Sequence, residues 1–194
     1  MTQWVDPGTR GRKKGPLGLL WAWIGVVTTP RRFFRRSVAP GDQAPGLVFL
    51  LVVVGIEAGS RYIFHPETRP VVGSQPVVSA VLVLLVTVLL VAPLGLHVLA
   101  ALQTVLLWPI TPDRAGISET VQVLAYATAP CVFAGIPIPA VTIVAASYGA
   151  VLLVVGLSTV HDIDYAQGVI AGAVPIVLVY GVVFGGFDAI ATLV

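Results

Sequence analysis

The chain has 194 residues, of which 57% are hydrophobic and only 10% are charged, and its formal net charge is +2. Soluble domains carry about 25% charged residues, so this composition excludes a soluble globular protein, a disordered chain and a nucleic-acid-binding protein. It predicts an all-α, polytopic membrane protein, because about 20 apolar residues make one membrane-spanning helix. The single cysteine, Cys131, excludes an intrachain disulfide and lies in an apolar run, which predicts a buried side chain.

Residues 1–44 form a basic tail that contains eight of the eleven Lys and Arg residues. Its apolar stretch, 17–29, is too short to span a bilayer, and arginines follow it where a signal peptide would have its small-residue cleavage site. We therefore predict an interfacial amphipathic helix over 17–29. Trp21 and Trp23 would lie at the level of the lipid headgroups, with their indole N–H groups in water.

A second short helix is predicted over 31–37. Phe33 and Phe34 would insert into the acyl boundary of the bilayer, and the basic side chains would bind anionic lipids at the cytoplasmic face. The candidate lipid-binding residues are Trp21, Trp23, Arg31, Arg32, Arg35 and Arg36. In the alternative, this basic flank only sets the orientation of the protein and binds no specific lipid.

Residues 45–194 are predicted to form a transmembrane domain with five spans, at about 45–64, 76–108, 118–135, 140–160 and 165–190. The second run would be about 50 Å long as a helix, well beyond the hydrocarbon core of about 30 Å. It is either strongly tilted and kinked, with Pro93 and Gly95 as the place for a break, or its last dozen residues leave the bilayer and pack along the cytoplasmic face. In the first span, Glu57 and Arg61 lie one helical turn apart and can form an ion pair.

The third predicted span is the most polar of the five. Glu119, Gln122 and Tyr126 recur at helical spacing and form one stripe, which must face protein or water rather than lipid. Ser118 is the expected N-cap of this helix. Further polar residues, His161, Asp162 and Asp164, connect the fourth and fifth spans.

Two pairs of glycines occur in the fifth span at the small-xxx-small spacing that allows close approach of helices. At 100° per residue the two pairs face opposite sides. We therefore predict that this helix is central to the bundle and is contacted on both faces. The candidate packing residues are Gly168, Gly172, Gly181 and Gly185.

The basic residues also predict the topology. With the N-terminus in the cytoplasm, nine Lys and Arg residues lie on the inner side and only Arg61 and Arg69 on the outer side. Basic residues concentrate on the cytoplasmic side of membrane proteins. The expected protein is thus a multi-pass protein of the cell membrane with a cytoplasmic N-terminus and an external C-terminus.

Four short motifs occur in the order and spacing of a known family: P-x-x-F-F at 30–34, Y-x-x-x-P at 126–130, G-L at 156–157 and H-x-x-D-x-A at 161–166. Over about residues 16–190 the chain resembles the Yip domain family, the Ypt/Rab-GTPase-interacting integral membrane proteins, in its prokaryotic form. The resemblance implies a five-span helical fold with a cytosolic N-terminus. In eukaryotic members it also implies binding of prenylated GTPases and roles in vesicle traffic or membrane shaping, but the sequence contains no GTPase-binding motif.

No catalytic, cofactor or metal-binding set is expected, because nucleophile elbow, P-loop and zinc-ligand patterns do not occur in the sequence. The first functional hypothesis is a non-enzymatic scaffold that binds itself or other membrane proteins. The second is a small transporter or channel that uses the polar stripe and His97. A continuous polar cavity across the bundle would distinguish them. The candidate partner-binding residues are Glu119, Gln122, Tyr126, His161, Asp162 and Asp164.

Overall fold

A computed structural model describes residues 15–72 and 74–194 of the chain. Within these ranges all regular structure is helical, as the composition predicts. Four basic residues of the predicted tail, at positions 10, 12, 13 and 14, lie outside the described residues.

The tail contains the helices α1 (Pro16–Thr28) and α2 (Pro30–Ser37). The long helices are α3 (Ala44–Phe64), α4 (Pro76–Leu107), α6 (Pro139–Val160) and α7 (Tyr165–Val183). Between them lies α5 (Ile117–Ala127), which is followed by a 3₁₀ helix at Ala129–Phe133, and α8 (Gly186–Ala191) ends the fold. Helices α1, α2, α3, α4 and α6 each have a proline in the first turn, where its missing N–H leaves no hydrogen bond unmade.

The bundle has two ends, each identified by a contact between a connection and the end of a neighbouring helix. At the first, the His161 end (38–43, 108–116 and 161–164), Thr120 Oγ1 lies 3.3 Å from His161 Nε2. At the second, the Gly135 end (65–72, 134–138 and 184–194), Gly135 lies against the last turns of α3. Between residues 44 and 183 the described chain therefore runs five times from one end to the other.

Four of these five passes are helices long and apolar enough to cross a membrane. The third pass consists of the 11 residues of α5 and the 5 residues of the 3₁₀ helix. Their combined rise is about 26 Å, close to the thickness of a hydrocarbon core. The expected polytopic helical bundle is thus confirmed, and the third pass reaches a comparable length with two short helices.

The third pass occupies the centre of the bundle. Every residue from 120 to 131 is buried, including Cys131, as expected. Helix α7, by contrast, exposes large apolar residues such as Val169, Ile170 and Val182. The prediction that the fifth span is the central helix is therefore wrong. The polar stripe was the better indicator of the centre, since polar side chains in a membrane protein avoid lipid.

Helix α4 is continuous over its 32 residues, so neither Pro93 nor Gly95 interrupts it. A π-helical turn at Thr87–Val91 directly precedes the proline. Proline lacks an N–H, and its ring clashes with the carbonyl of the residue four positions earlier, which is Leu89 here. The widened turn accommodates both the missing hydrogen bond and the clash.

Helix α4 extends well past its contact with the connection between α2 and α3. His97 Nε2 lies 3.0 Å from Gln43 Oε1, and α4 continues about 15 Å beyond that point.

The tail helices pack against the bundle through one face. Phe33 and Phe34 are buried in the protein core, so the prediction that they insert into the acyl boundary is wrong. The Trp23 indole N–H donates to the carbonyl of Ala129 over 2.8 Å, so the prediction that it lies in water is wrong. The Tyr148 hydroxyl of α6 donates to the carbonyl of Val27. A helix with aromatic residues on one face and arginines on the other can pack in a protein core or insert into a membrane surface equally well. The sequence alone therefore does not distinguish these two environments for α2.

The orientation in the membrane remains a prediction that a reporter can test. A reporter enzyme active only outside the cytoplasm should be active when fused after Val194 and silent when fused after Gly116. The reason is the excess of basic residues on the segments predicted to be cytoplasmic. The opposite pattern of activity would contradict the proposed orientation.

Candidate functional site

The six candidate partner-binding residues divide into two groups by exposure. Asp162 and Asp164 are exposed at the His161 end, and Glu119 is half-buried in the first turn of α5. Gln122, Tyr126 and His161 are buried. Only the three carboxylates are therefore accessible to a partner in this conformation.

Gln122 joins the third pass to the connection between α2 and α3. Its Oε1 accepts a hydrogen bond from the Ala39 N–H over 3.1 Å. Its Nε2 donates to the carbonyls of Ala39, over 2.7 Å, and of Ser118, over 3.2 Å. The side chain is fully buried, and its amide satisfies both backbone groups of Ala39. This residue therefore has a structural role that its place in the polar stripe did not reveal.

Tyr126 is the centre of an aromatic cluster. Its ring meets Phe33 of α2 edge-on at 4.9 Å between centroids and Phe49 of α3 at 5.1 Å. Edge-to-face pairs at such distances are favourable beyond the area that they bury. The Tyr126 hydroxyl has no hydrogen-bond partner among the described residues. The ring thus holds three helices together, while the hydroxyl stays unused.

His161 follows the last residue of α6, and its side chain is buried. Burial, together with the positive charge of Arg114, lowers the pKa of the imidazole to about 4. The imidazole is therefore neutral at physiological pH and contributes no charge to a docking surface. Its Nε2 lies near the Thr120 hydroxyl, which joins the end of α6 to α5.

The two exposed aspartates also shape the backbone between α6 and α7. Asp162 has a φ of 52°, the left-handed conformation that commonly ends a helix and that Asp and Asn tolerate better than most residues. Asp164 is the N-cap of α7: its carboxylate accepts the Gln167 N–H over 2.7 Å, and Gln167 Oε1 accepts the Asp164 N–H over 3.1 Å. This reciprocal pair is a capping box.

Because Asp164 caps α7, its contribution to stability can be tested separately from its charge. Replacing it with alanine should lower the free energy of unfolding by about 1 kcal/mol, because the N–H of Gln167 loses its acceptor. Replacing it with asparagine removes the charge but keeps an oxygen that caps well, so this variant should remain near wild type. Thermal unfolding in detergent micelles compares the two. Equal stability of the alanine variant and the wild type would contradict the assigned cap.

The predicted N-cap of α5 differs from the observed one. Gly116 takes this position, without a side-chain cap, and Ser118 lies inside the first turn. The Ser118 Oγ, the His161 Nδ1 and both amide atoms of Gln103 are buried without partners among the described residues. Buried polar groups nearly always have partners, so these atoms are exceptions within the buried part of the bundle. Gln103 was not among the residues selected from the sequence. The only sequence feature that points to it is an amide side chain within an apolar run.

The candidate lipid-binding residues lie mostly on the outside of the tail helices. All four arginines of α2 and Trp21 of α1 are exposed, whereas Trp23 is half-buried. Helix α1 is apolar on all sides, so the amphipathic character predicted for it belongs to α2. The exposed arginines form a basic face that can meet anionic headgroups.

The four candidate packing glycines have different surroundings. A Cβ on Gly168 would lie 2.6 Å from the Ser158 Oγ of α6, and one on Gly172 would make ordinary contact with Leu157 at 3.4 Å. A Cβ on Gly181 would meet the ring of Phe187, in α8. Gly185 has a φ of 72° and open space around it, so it ends α7 and starts the turn into α8.

Among the residues that the structure describes, no three His, Cys, Asp or Glu side chains cluster as a metal site would require. The Glu57–Arg61 pair predicted from helical spacing is present, with Arg61 Nε donating to Glu57 Oε1 over 3.0 Å. It lies toward the Gly135 end of α3 and far from the three exposed or half-buried carboxylates.

Comparison with known proteins identifies the family. No curated protein and no solved structure matches the chain significantly. The family model described as the Yip1 domain matches residues 24–186, which is more than four fifths of the chain and includes α2 to α7 completely. It therefore agrees with the resemblance drawn from the motifs, and the chain belongs to the Yip1 domain family of integral membrane proteins.

Proposed function

We propose that this protein is a non-enzymatic scaffold that organises the cell membrane by binding other membrane proteins or further copies of itself. The observation that carries the proposal is the acidic surface at the His161 end. Asp113, Asp162 and Asp164 are exposed there, on or next to segments that also expose the large side chains of Trp108 and Tyr165. The one arginine of these connections, Arg114, lies over the Trp108 ring at 5.5 Å from its centroid, so the exposed carboxylates outnumber it. Carboxylates beside exposed aromatic side chains suit a partner segment that is basic and partly apolar.

The proposed orientation places this acidic surface in the cytoplasm. The arginines of α2 would then contact anionic headgroups of the inner leaflet and help to hold the bundle at a fixed depth. Helix α4, which continues beyond its contact with Gln43, would carry Trp108 and the 108–116 connection away from the membrane. A partner could thus reach the acidic surface without entering the hydrocarbon core.

A transport path along the polar stripe has less support. Gln122 is engaged by Ala39 and Ser118, and Tyr126 is enclosed by aromatic rings. The interior cavity next to the third pass is lined mainly by leucine, valine and other apolar residues. Transport of a polar solute needs polar groups along its path, and these contacts do not supply them.

Site-specific photo-crosslinking in native membranes tests the scaffold. A benzoylphenylalanine in place of the exposed Ala166, beside the acidic surface, should capture a partner. The same residue in place of Val71, at the Gly135 end, should not capture that partner. Combining the first probe with Asp162→Asn and Asp164→Asn should abolish capture, because the partner loses both charges. Asparagine keeps the left-handed turn and the helix cap, so thermal stability should stay near wild type.

Undiminished capture by the doubly substituted protein would contradict the docking surface. The transporter alternative is tested separately, by measuring proton and solute flux in proteoliposomes. Tyr126→Phe is the informative variant there, because it removes only a hydroxyl that lacks a described partner and keeps the ring contacts. Flux through the wild type that this substitution removes would overturn the scaffold in favour of a pathway.

A further inference from the structure

An apolar cavity of about 190 Å³ lies inside the bundle. Its walls come from α3, α4, the third pass and α7, so it is bounded by four of the five passes. Leu96 of α4, Leu124 of α5 and Val179 of α7 line it, and each of these side chains is buried. Close-packed interiors contain few spaces larger than a water molecule, so this cavity departs from the ordinary packing of a helical core.

Two widened helical turns border the cavity. Thr87 and Val91 belong to the π-helical turn of α4, and Val179 and Val183 belong to the π-helical segment Ile176–Val183 of α7. Such turns are rare and occur frequently at functional sites. Two of them facing one space indicate that the irregular backbone shapes the cavity.

The cavity reaches the surface that faces lipid. Val91 is 54% exposed and Val183 is 62% exposed, and both are lining residues, so the rim between α4 and α7 is open. The surrounding surface of α4 is apolar over many residues, with Leu89, Leu90 and Leu94 exposed. Both helices are long and apolar enough to span the membrane, so the rim lies within the hydrocarbon core. Lipid acyl chains fill that region.

We infer that this cavity binds a segment of the acyl chain of a bilayer phospholipid, which enters between α4 and α7. An apolar cavity of about 150 Å³ holds a benzene molecule. The present cavity therefore accommodates a similar number of carbons, about six or seven. The occupant is apolar because the lining offers hydroxyls only from Thr87, Thr128 and Tyr180 and no charged group. This inference is independent of the docking surface at the His161 end.

Photolabelling from within the bilayer tests the inference. The full-length protein is reconstituted in vesicles of phosphatidylethanolamine and phosphatidylglycerol that contain a phospholipid with a diazirine in one acyl chain. After irradiation, labelled residues are located by mass spectrometry. Leu94 and Val98 face outward and should be labelled by the surrounding lipid. Leu124 and Val179 are buried and should be labelled only by a chain that enters the cavity.

A substitution that fills the cavity provides the second measurement. Gly95 lines the cavity, and a Cβ built on it meets no heavy atom within 4 Å. A side chain therefore has room to start at this position, and we expect the leucine of Gly95→Leu to extend into the space of the acyl chain. Gly59→Leu is the matched control, because Gly59 is also helical and surrounded by open space but does not line the cavity. Each variant gains the helix propensity that glycine lacks, so the melting temperature should rise by about 1–4 °C in both.

Gly95→Leu should remove the label from Leu124 and Val179 and leave that on Leu94 and Val98 unchanged. Gly59→Leu should leave all four labels unchanged. The inference is overturned if Leu124 and Val179 are unlabelled in the wild type while Leu94 and Val98 are labelled. It is equally overturned if their labels persist in Gly95→Leu, since a filled cavity cannot admit the chain.

Discussion

Replacing Phe34 by alanine should lower the free energy of unfolding by about 3–5 kcal/mol, the usual loss for a buried phenylalanine. Phe34 is only 1% exposed and packs where α2 meets α6. A Cβ on Gly156 of α6 would lie 3.0 Å from Phe34 Cζ and 2.7 Å from Val123 Cγ1. The ring thus fills a space bounded by two other helices, and its removal leaves a cavity. Denaturant or thermal unfolding in detergent micelles measures the loss.

Arg32→Ala, on the exposed face of the same helix, provides the control and should change stability by less than about 0.5 kcal/mol. If Phe34 were instead a membrane anchor, its removal would hardly change unfolding in detergent. A loss of stability for Phe34→Ala no larger than that for Arg32→Ala would therefore contradict the buried position of the tail.

Replacing Gly135 by alanine should lower the free energy of unfolding by about 1–3 kcal/mol through overpacking. The new methyl group would clash with the Glu57 carbonyl and the Ser60 hydroxyl, and it would lie 2.9 Å from the Arg61 nitrogen. Two of these three atoms belong to the backbone of α3, which cannot move aside as the end of a flexible side chain would. The connection after the third pass must therefore shift away from α3, and the melting temperature should fall.

Gly59→Ala is the matched control for this substitution. Gly59 lies in the same part of α3, but a Cβ built on it meets no heavy atom within 4 Å. This variant should be more stable than the wild type by about 0.5–1 kcal/mol, because glycine is unfavourable inside a helix. Opposite signs for the two variants are expected, and a Gly135→Ala protein as stable as wild type would refute the close approach.

Patterns within one helix were the most predictable part of the fold. The apolar runs predicted α3, α4, α6 and α7 to within a few residues, apart from the C-terminal end of α7. The spacing of Glu57 and Arg61 predicted their ion pair, which is present. These patterns depend on neighbours along the chain, and helical periodicity translates them directly into structure.

Contacts between distant segments were not predictable in the same way. The aromatic face of α2 indicated an apolar environment, but hydropathy does not distinguish lipid from the interior of a bundle. For the same reason the sequence did not reveal that Gln122 binds the backbone of Ala39, 83 residues earlier. The glycines of α7 indicated close packing without identifying the partner, which for Gly181 is Phe187 of the same chain. The local cap at Asp164, in contrast, could have been read from the D-x-x-Q spacing alone.

The contacts of the tail also constrain the order of events during synthesis. Trp23 binds a carbonyl 106 residues later in the chain, and the carbonyl of Val27 accepts a hydrogen bond from a tyrosine 121 residues later. At about 5–20 residues per second, the ribosome needs about 6–25 s to make that stretch. During this interval α1 and α2 are complete but have no binding surface, so their apolar faces depend on lipid or the insertion machinery. Helices α1 and α2 are thus made before the segments that they bind, and they reach their final position only after those segments are complete.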